Sequence, residues 1–155
     1  MAGQTGFRRV VLGMDGSAHC RRAAAFLTRL EPPRGGRVTV VRVVEPVRVP
    51  SMPLVPAPMR AQIAGQAEAA NRSLVAVARR QVEAAAAMLA RAGWRARAVV
   101  PTGVPLAELL AVVRAERADV LVLGARGAGA VTHFLLGSVA EAALKLGPAE
   151  VLIVK

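Results

Sequence analysis

Residues 119–146 read DVLVLGARGAGAVTHFLLGSVAEAALKL. A short apolar run, 120–123, feeds a loop holding Gly124, Gly127 and Gly129, and after an apolar segment Gly137-Ser138 opens a helix. A strand, a glycine-rich loop and a helix N-terminus in succession present backbone N–H groups and a positive dipole end to an anion. Strand followed by helix is also the repeating half of a parallel βαβ unit, so the rest of the chain has to be read for the same alternation.

That alternation is present. Residues 7–14 (FRRVVLGM) read as a first strand with the continuous apolar centre of a strand buried on both faces. Asp15-Gly16-Ser17 turns the chain, and Ser17 is placed to cap a helix from Ala18 to about Leu30. Cys20, Ala23, Ala24, Leu27 and Leu30 share one stripe of that helix, which Pro32-Pro33 and Gly35-Gly36 end. Residues 37–44 (RVTVVRVV) are a second strand. Residues 45–58 carry prolines 46, 50, 53, 56 and 58, which exclude a regular helix or a central strand. This loop reads equally as a connector or as a mobile lid over a ligand.

Residues 59–92 repeat apolar positions every three or four residues, from Ile63 to Leu89, with Arg79 and Glu83 spaced as an i,i+4 pair. The length exceeds a usual globular helix, so a break is expected at Gly65. A third strand at 95–100, a helix from Pro105 to Glu116, a strand at 120–123, a helix at 138–146 and a strand at 150–154 complete the chain. The expectation is α/β: a single domain over 1–155, with an open five-stranded parallel sheet and helices on both faces. Ligands of such sheets lie beyond the carboxyl ends of the strands, where strand order reverses. Asp15 and the glycine loop line one crevice only if the first and fourth strands are neighbours, which favours the order 3-2-1-4-5 over 2-1-3-4-5.

Composition narrows the class. The chain has 155 residues, 54 % of them apolar, enough for one well-buried core. Cys20 is the single cysteine, so no internal disulfide and no CxxC motif exist. The first apolar run after Arg8-Arg9 stops at Asp15, short of a secretory h-region, and no run reaches the length of a membrane span. A cytoplasmic, non-membrane protein is expected. Against 21 basic residues stand 10 acidic ones, a net charge of +11 that invites a polyanion partner. The arginines are scattered along the chain, Tyr is absent and aromatics make up 3 %, all of which disfavours nucleic acid.

The familiar phosphate motifs fail on the loop. A P-loop needs Lys and Ser/Thr after its last glycine, where Ala130-Val131 follow Gly129. A dinucleotide fingerprint begun at Gly127 would need glycine at Thr132. What is present is Gly124-x2-Gly127-x9-Gly137-Ser138. In this the chain resembles the universal stress protein family, in its nucleotide-binding branch, whose pattern is G-x2-G-x9-G-[ST]. The resemblance extends to Gly13-Met14-Asp15-Gly16-Ser17, Val43-Val44-Glu45-Pro46, Gly103-Val104-Pro105 and the closing 151–154, so it covers nearly the whole chain.

The resemblance implies an adenine nucleotide alpha hydrolase-like fold and a site for ATP or AMP, with Mg2+ or Mn2+ carried on the phosphates. Asp15 would accept hydrogen bonds from the ribose, with Gly13 and Met14 beside the nucleoside and Val43 against adenine. Gly124 and Gly127 would let the backbone approach the phosphates. Gly137, Ser138 and Val139 would bind phosphate at a helix N-terminus, and Arg126 would pair with it. The chain departs from the pattern at Ala125, where Ser or Thr is common, at Met14, which replaces a smaller residue, and at Arg42, where a neutral residue or His is frequent.

Plainer readings stand beside these. Ser138 with Glu141 forms the pattern of a capping box. Asp15 before Gly16 is a common turn. His19 and Cys20 are adjacent on a helix and do not face each other, His133 has no visible partner, and Trp94 after Gly93 is a helix-end packing residue. No metal-binding cluster, Walker lysine or general base is legible, so at most slow ATP hydrolysis is expected. The expected function is therefore sensing or sequestering ATP in a stress or regulatory role. The alternatives are a partner-binding module with an empty site and, less favoured, a basic nucleic-acid-binding protein. The final strand is an apolar sheet edge of a kind usually covered or paired, and the resemblance implies that it pairs antiparallel across a two-fold axis into a homodimer.

Overall fold

A computed structural model describes residues 6–126 and 136–155. Gly127, Gly129 and His133 therefore lie outside the described residues. The strands are β1 (Arg9–Gly13), β2 (Arg37–Val41), β3 (Arg95–Val99), β4 (Val120–Gly124) and β5 (Glu150–Val154), and the helices α1 (Ala18–Thr28), α2 (Ala57–Arg91), α3 (Pro105–Ala115) and α4 (Ser138–Leu146). All strand pairings are parallel and the order is β3-β2-β1-β4-β5.

Burial explains the strand sequences. Central β1 (RVVLG) and β4 (VLVLG) are covered on both faces and are apolar throughout their centres. The edge strand β3 (RARAV) alternates arginine with alanine, and its arginines are exposed. One face of the sheet packs Val10, Leu12, Val38 and Val40 against Ala23, Ala24 and Leu27 of α1 and Val82 and Leu89 of α2. The other packs Val11, Val41, Leu121 and Leu123 against Leu109, Leu110 and Val113 of α3 and Ala140 and Ala143 of α4. Each fully buried Val or Leu contributes roughly 1.5–3 kcal/mol relative to exposure, so these two layers supply the main stabilisation. The buried Thr39 is satisfied: its hydroxyl donates to Glu116 Oε2 at 3.2 Å and accepts from Arg97 Nε at 3.3 Å.

Several local expectations are corrected. The long helix is unbroken from Ala57 to Arg91, with Pro58 inside its first turn. A Cβ on Gly65 would meet nothing within 4 Å, so this glycine costs only the propensity difference of about 1 kcal/mol and does not break the helix. The core-facing stripe is confined to its second half, Ala78 to Leu89, while Leu74 is exposed. On its surface the ion pair forms between Glu68 and Arg72 at 3.8 Å, not between Arg79 and Glu83. The second strand ends at Val41 rather than Val44; beyond it Val44 only bridges Thr102. The proline-rich loop is tied to α2 by Asn71, whose amide accepts from Val47 N–H at 2.7 Å and donates to Val47 C=O at 3.1 Å. Trp94 behaves as expected: it is buried after Gly93, which has φ +94°, and its Nε1 donates to Leu27 C=O at 3.2 Å.

Asp119 joins the starts of β1 and β4. Its Oδ2 accepts the Arg8 and Arg9 amides at 2.9 and 2.8 Å, and its Oδ1 accepts Arg9 Nη2 at 2.8 Å. Burial pushes the carboxyl up, but the Arg9 side chain and these two amides outweigh it and hold its pKa below the usual 3.8. A depressed carboxyl contributes stability that is present above its ordinary pKa and is lost as pH falls through the folded value. Asp119→Asn is expected to cost about 1–2 kcal/mol at neutral pH. The gap between wild type and variant in thermal melts should close as the pH is lowered below 3.8.

Candidate functional site

The chain leaves β1 through a tight turn. Asp15 Oδ1 accepts the Ser17 N–H at 2.9 Å, and Ser17 Oγ caps α1 by accepting the Cys20 N–H at 3.2 Å. The same Ser17 hydroxyl donates to Arg126 C=O at 3.3 Å, which links the turn after β1 to the segment after β4. Sequence reasoning took Ser17 for a cap alone. Nothing local betrays the second bond, because its partner lies 109 residues away. Gly16 has φ +85°, and a Cβ there would stand 3.0 Å from Arg42 Nη1. Arg42 Nη1 and Gln81 Oε1 are buried without a hydrogen-bond partner among the described residues.

Around this turn, at the carboxyl ends of the strands, lies a cleft of about 590 Å³. Its lining brings together Gly13, Met14, Asp15, Val43, Gly124, Arg126, Gly137, Ser138 and Val139, every described residue that the sequence nominated. The neighbouring order of β1 and β4 accomplishes this. Pro105, Leu109, Leu123 and Leu136 also line it and were missed. Leu109 and Leu123 read as ordinary core positions, and only the layering of α3 over the sheet turns them toward a cavity. The proline-rich loop contributes none of the described lining residues, which weakens its reading as a lid.

Two of the lining glycines also have packing contacts. A Cβ on Gly13 would meet Leu123 Cδ2 at 2.4 Å, and one on Gly124 would meet the backbone of α1 at 2.7 Å (His19 C) and 2.8 Å (Cys20 N). At Gly13 the neighbour is a side-chain tip that can turn away, whereas at Gly124 it is backbone, so close packing requires glycine at Gly124. The missing Cβ of Gly124 lets α1 press onto the end of β4, and thereby sets the floor of the cleft.

Backbone donors are also partly spent. Ala125 N–H donates to Val154 C=O at 2.8 Å, and Gly137 N–H to Ala125 C=O at 3.0 Å. The first residue of α4 is Ser138, its cap position is Gly137, and no side chain caps the helix. The expected Ser138–Glu141 capping box is therefore not formed; Glu141 instead accepts from Lys145 Nζ at 2.7 Å. Ser138, Val139 and Ala140, whose N–H groups precede the helical ladder, line the cleft. The helix presents its positive end there. His19, next to this floor, is held below its usual pKa by desolvation and then by Arg22 and Arg126, with Asp15 opposing. Arg126 is the lining cation on the β4 side.

Chemically, the cleft offers a carboxylate at one side, an uncapped helix N-terminus with Arg126 at the other, and apolar walls between. Asp15 is the sole carboxylate among its described lining residues. Among the described residues no group of three or more His, Cys, Asp or Glu is placed to hold a metal ion. No helix among them is long and apolar enough to cross a membrane.

Comparison with known proteins bears on the family and the fold. The chain is 32 % identical over 152 residues to a Thermus aquaticus protein described as the universal stress protein in the QAH/OAS sulfhydrylase 3' region, covering 96 % of this chain and 99 % of that one. Among solved structures, hypothetical protein MJ0577 is similar with a TM-score of 0.80 at 19 % identity, covering 96 % of this chain and 95 % of that chain. A universal stress protein solved in complex with cAMP is similar with a TM-score of 0.63 at 22 % identity, covering 97 % and 99 %. The model of the universal stress protein family matches residues 6–155, and the chain belongs to that family.

Proposed function

We propose that this chain binds an adenine nucleotide, ATP, in the cleft between β1 and β4, and senses or sequesters it in a stress or regulatory role in the cytoplasm. One observation carries the reading: Asp15 and the uncapped N-terminus of α4, more than a hundred residues apart in sequence, face the same cleft. A ribose at Asp15 and phosphates at Ser138 and Val139 would each find complementary chemistry, with Arg126 beside the phosphates. Val43 and Leu109 offer an apolar wall to the base. A volume of about 590 Å³ lies within the range of small-ligand sites. The related protein solved with cAMP is described as binding an adenine nucleotide, which supports the ligand class.

The described lining residues support binding rather than turnover. Rapid hydrolysis needs a positioned base and groups that hold a metal at the phosphates. Asp15 stands at the β1 side instead, so a divalent ion would be carried on the phosphates themselves, and hydrolysis would be slow at most. Calorimetric titration of the purified protein with ATP is expected to show saturable one-site binding and a raised melting temperature. No heat and no melting shift at millimolar ATP, with the fold intact, would overturn the proposal.

The assembly proposed with it is a homodimer paired antiparallel through β5. The two sheet edges differ in a way that supports this: β3 exposes Arg95 and Arg97, whereas β5 (EVLIV) carries charge only at Glu150. Charged side chains guard an edge and an apolar strand invites pairing. Light scattering at micromolar concentration should give twice the 16.1 kDa chain mass; a monomer would count against it.

A further inference from the structure

The arginines that look scattered in sequence are not scattered in space. Arg9, Arg37 and Arg95 each begin a strand, and the parallel register sets Arg9 beside Arg37 and Arg37 beside Arg95. All three are exposed, at the end of the sheet opposite the cleft. Arg9 is engaged by Asp119, but Arg37 and Arg95 enter no ion pair among the described residues. Exposed Arg34 and Arg91 flank the row, since α1 and α2 also end on this side. The negative ends of those helices account for Arg91, but not for like charges placed side by side on neighbouring strands, which repel. Of the acidic positions at this end, Asp119 and Glu150 belong to the β4–β5 half and Glu116 is engaged by Thr39 and Arg97, which leaves exposed Glu31 in the α1–β2 connection against Arg34, Arg37, Arg91 and Arg95, so the β3-β2 edge keeps a net positive charge.

We infer that this row is a docking surface for the phosphate backbone of a nucleic-acid duplex, separate from the nucleotide cleft. Strands about 4.8 Å apart give a row roughly 10 Å long, from which long arginine stems reach neighbouring phosphates of one duplex strand. Guanidinium suits phosphate through paired N–H donors. Bases are not the target: Trp94 is buried and Phe7, exposed near the row, gives no platform for successive bases. A duplex keeps its bases inside and offers the phosphates alone.

The test is fluorescence anisotropy with a short mixed-sequence DNA duplex across a salt series. Wild-type protein should bind at low salt without sequence preference, with a linear loss of log K against log salt. Arg37→Gln/Arg95→Gln should reduce the magnitude of that slope by about 1.8, the value for two lost phosphate contacts. Arg79→Gln/Arg80→Gln removes the same charge from an exposed part of α2 away from the row, and should leave the slope unchanged. Unchanged melting temperatures would show that both variants fold. No duplex binding at low salt, an equal slope change in both variants, or binding to anionic phospholipid vesicles without binding to duplex would each overturn the inference.

Discussion

Asp15→Ala is expected to weaken ATP binding by about tenfold to a hundredfold. The reasoning is local. A carboxylate facing the cleft can accept hydrogen bonds from ribose hydroxyls, and hydrogen bonds to a charged group contribute about 1.5–3 kcal/mol, which is roughly one to two decades in Kd. Asp15 also has a structural duty, because its Oδ1 accepts the Ser17 N–H at the turn. Asp15→Asn separates the two. Its amide oxygen keeps the turn while the charge is lost, so the expected order of affinity is wild type, then Asn, then Ala. Equal affinity in all three, measured by calorimetry, would remove Asp15 from the site. A loss in Ala alone would assign the effect to the turn.

Gly124→Ala is expected to lower stability by about 1–3 kcal/mol through overpacking, which for a chain of this size is a fall in Tm of roughly 2–12 °C. The added Cβ would lie 2.7–2.8 Å from the backbone of His19 and Cys20, and backbone cannot rotate away as a side-chain tip can. α1 would have to lift from β4. That movement would strain the bond from the Ser17 hydroxyl to Arg126 C=O, so ATP affinity should fall along with stability. Gly65→Ala is the matched control. The same methyl group meets nothing there, and a helix interior prefers alanine, so stability should rise by up to about 1 kcal/mol. Differential scanning calorimetry of the two variants should give opposite signs; a shared sign would sink the packing account of Gly124.

The legible parts of this fold share a physical property: they depend on near neighbours. Ser17 caps α1, Pro105 starts α3 and α4 runs over the expected residues, because caps and turns act within a few residues. The strand order was also readable, since Asp15 and the glycine loop make chemical sense together only with β1 beside β4. The candidate site emerged as a residue set for the same reason. Where the reading failed, the causes differ. Gly65 was expected to break a helix that in fact runs through it, and Ser138 and Glu141 were expected to cap a helix end that stays uncapped. The turn before α4 is held by Gly137 N–H donating to Ala125 C=O, so the expected cap lost to a bond from the end of β4.

By itself, then, the amino-acid order determined the alternation of strands and helices, the identity of the family and the list of residues for the cleft, because periodicity, caps and motif spacing are properties of short stretches. Tertiary structure alone decided how those residues pack and which of them share a cleft. It gave Gly13 and Gly124 packing contacts that the sequence did not announce, because only the folded chain brings Leu123 and α1 against them. It left the start of α4 uncapped toward the cleft. It also collected Arg9, Arg37 and Arg95 into one row, because a parallel register places strand starts side by side whatever their distance along the chain.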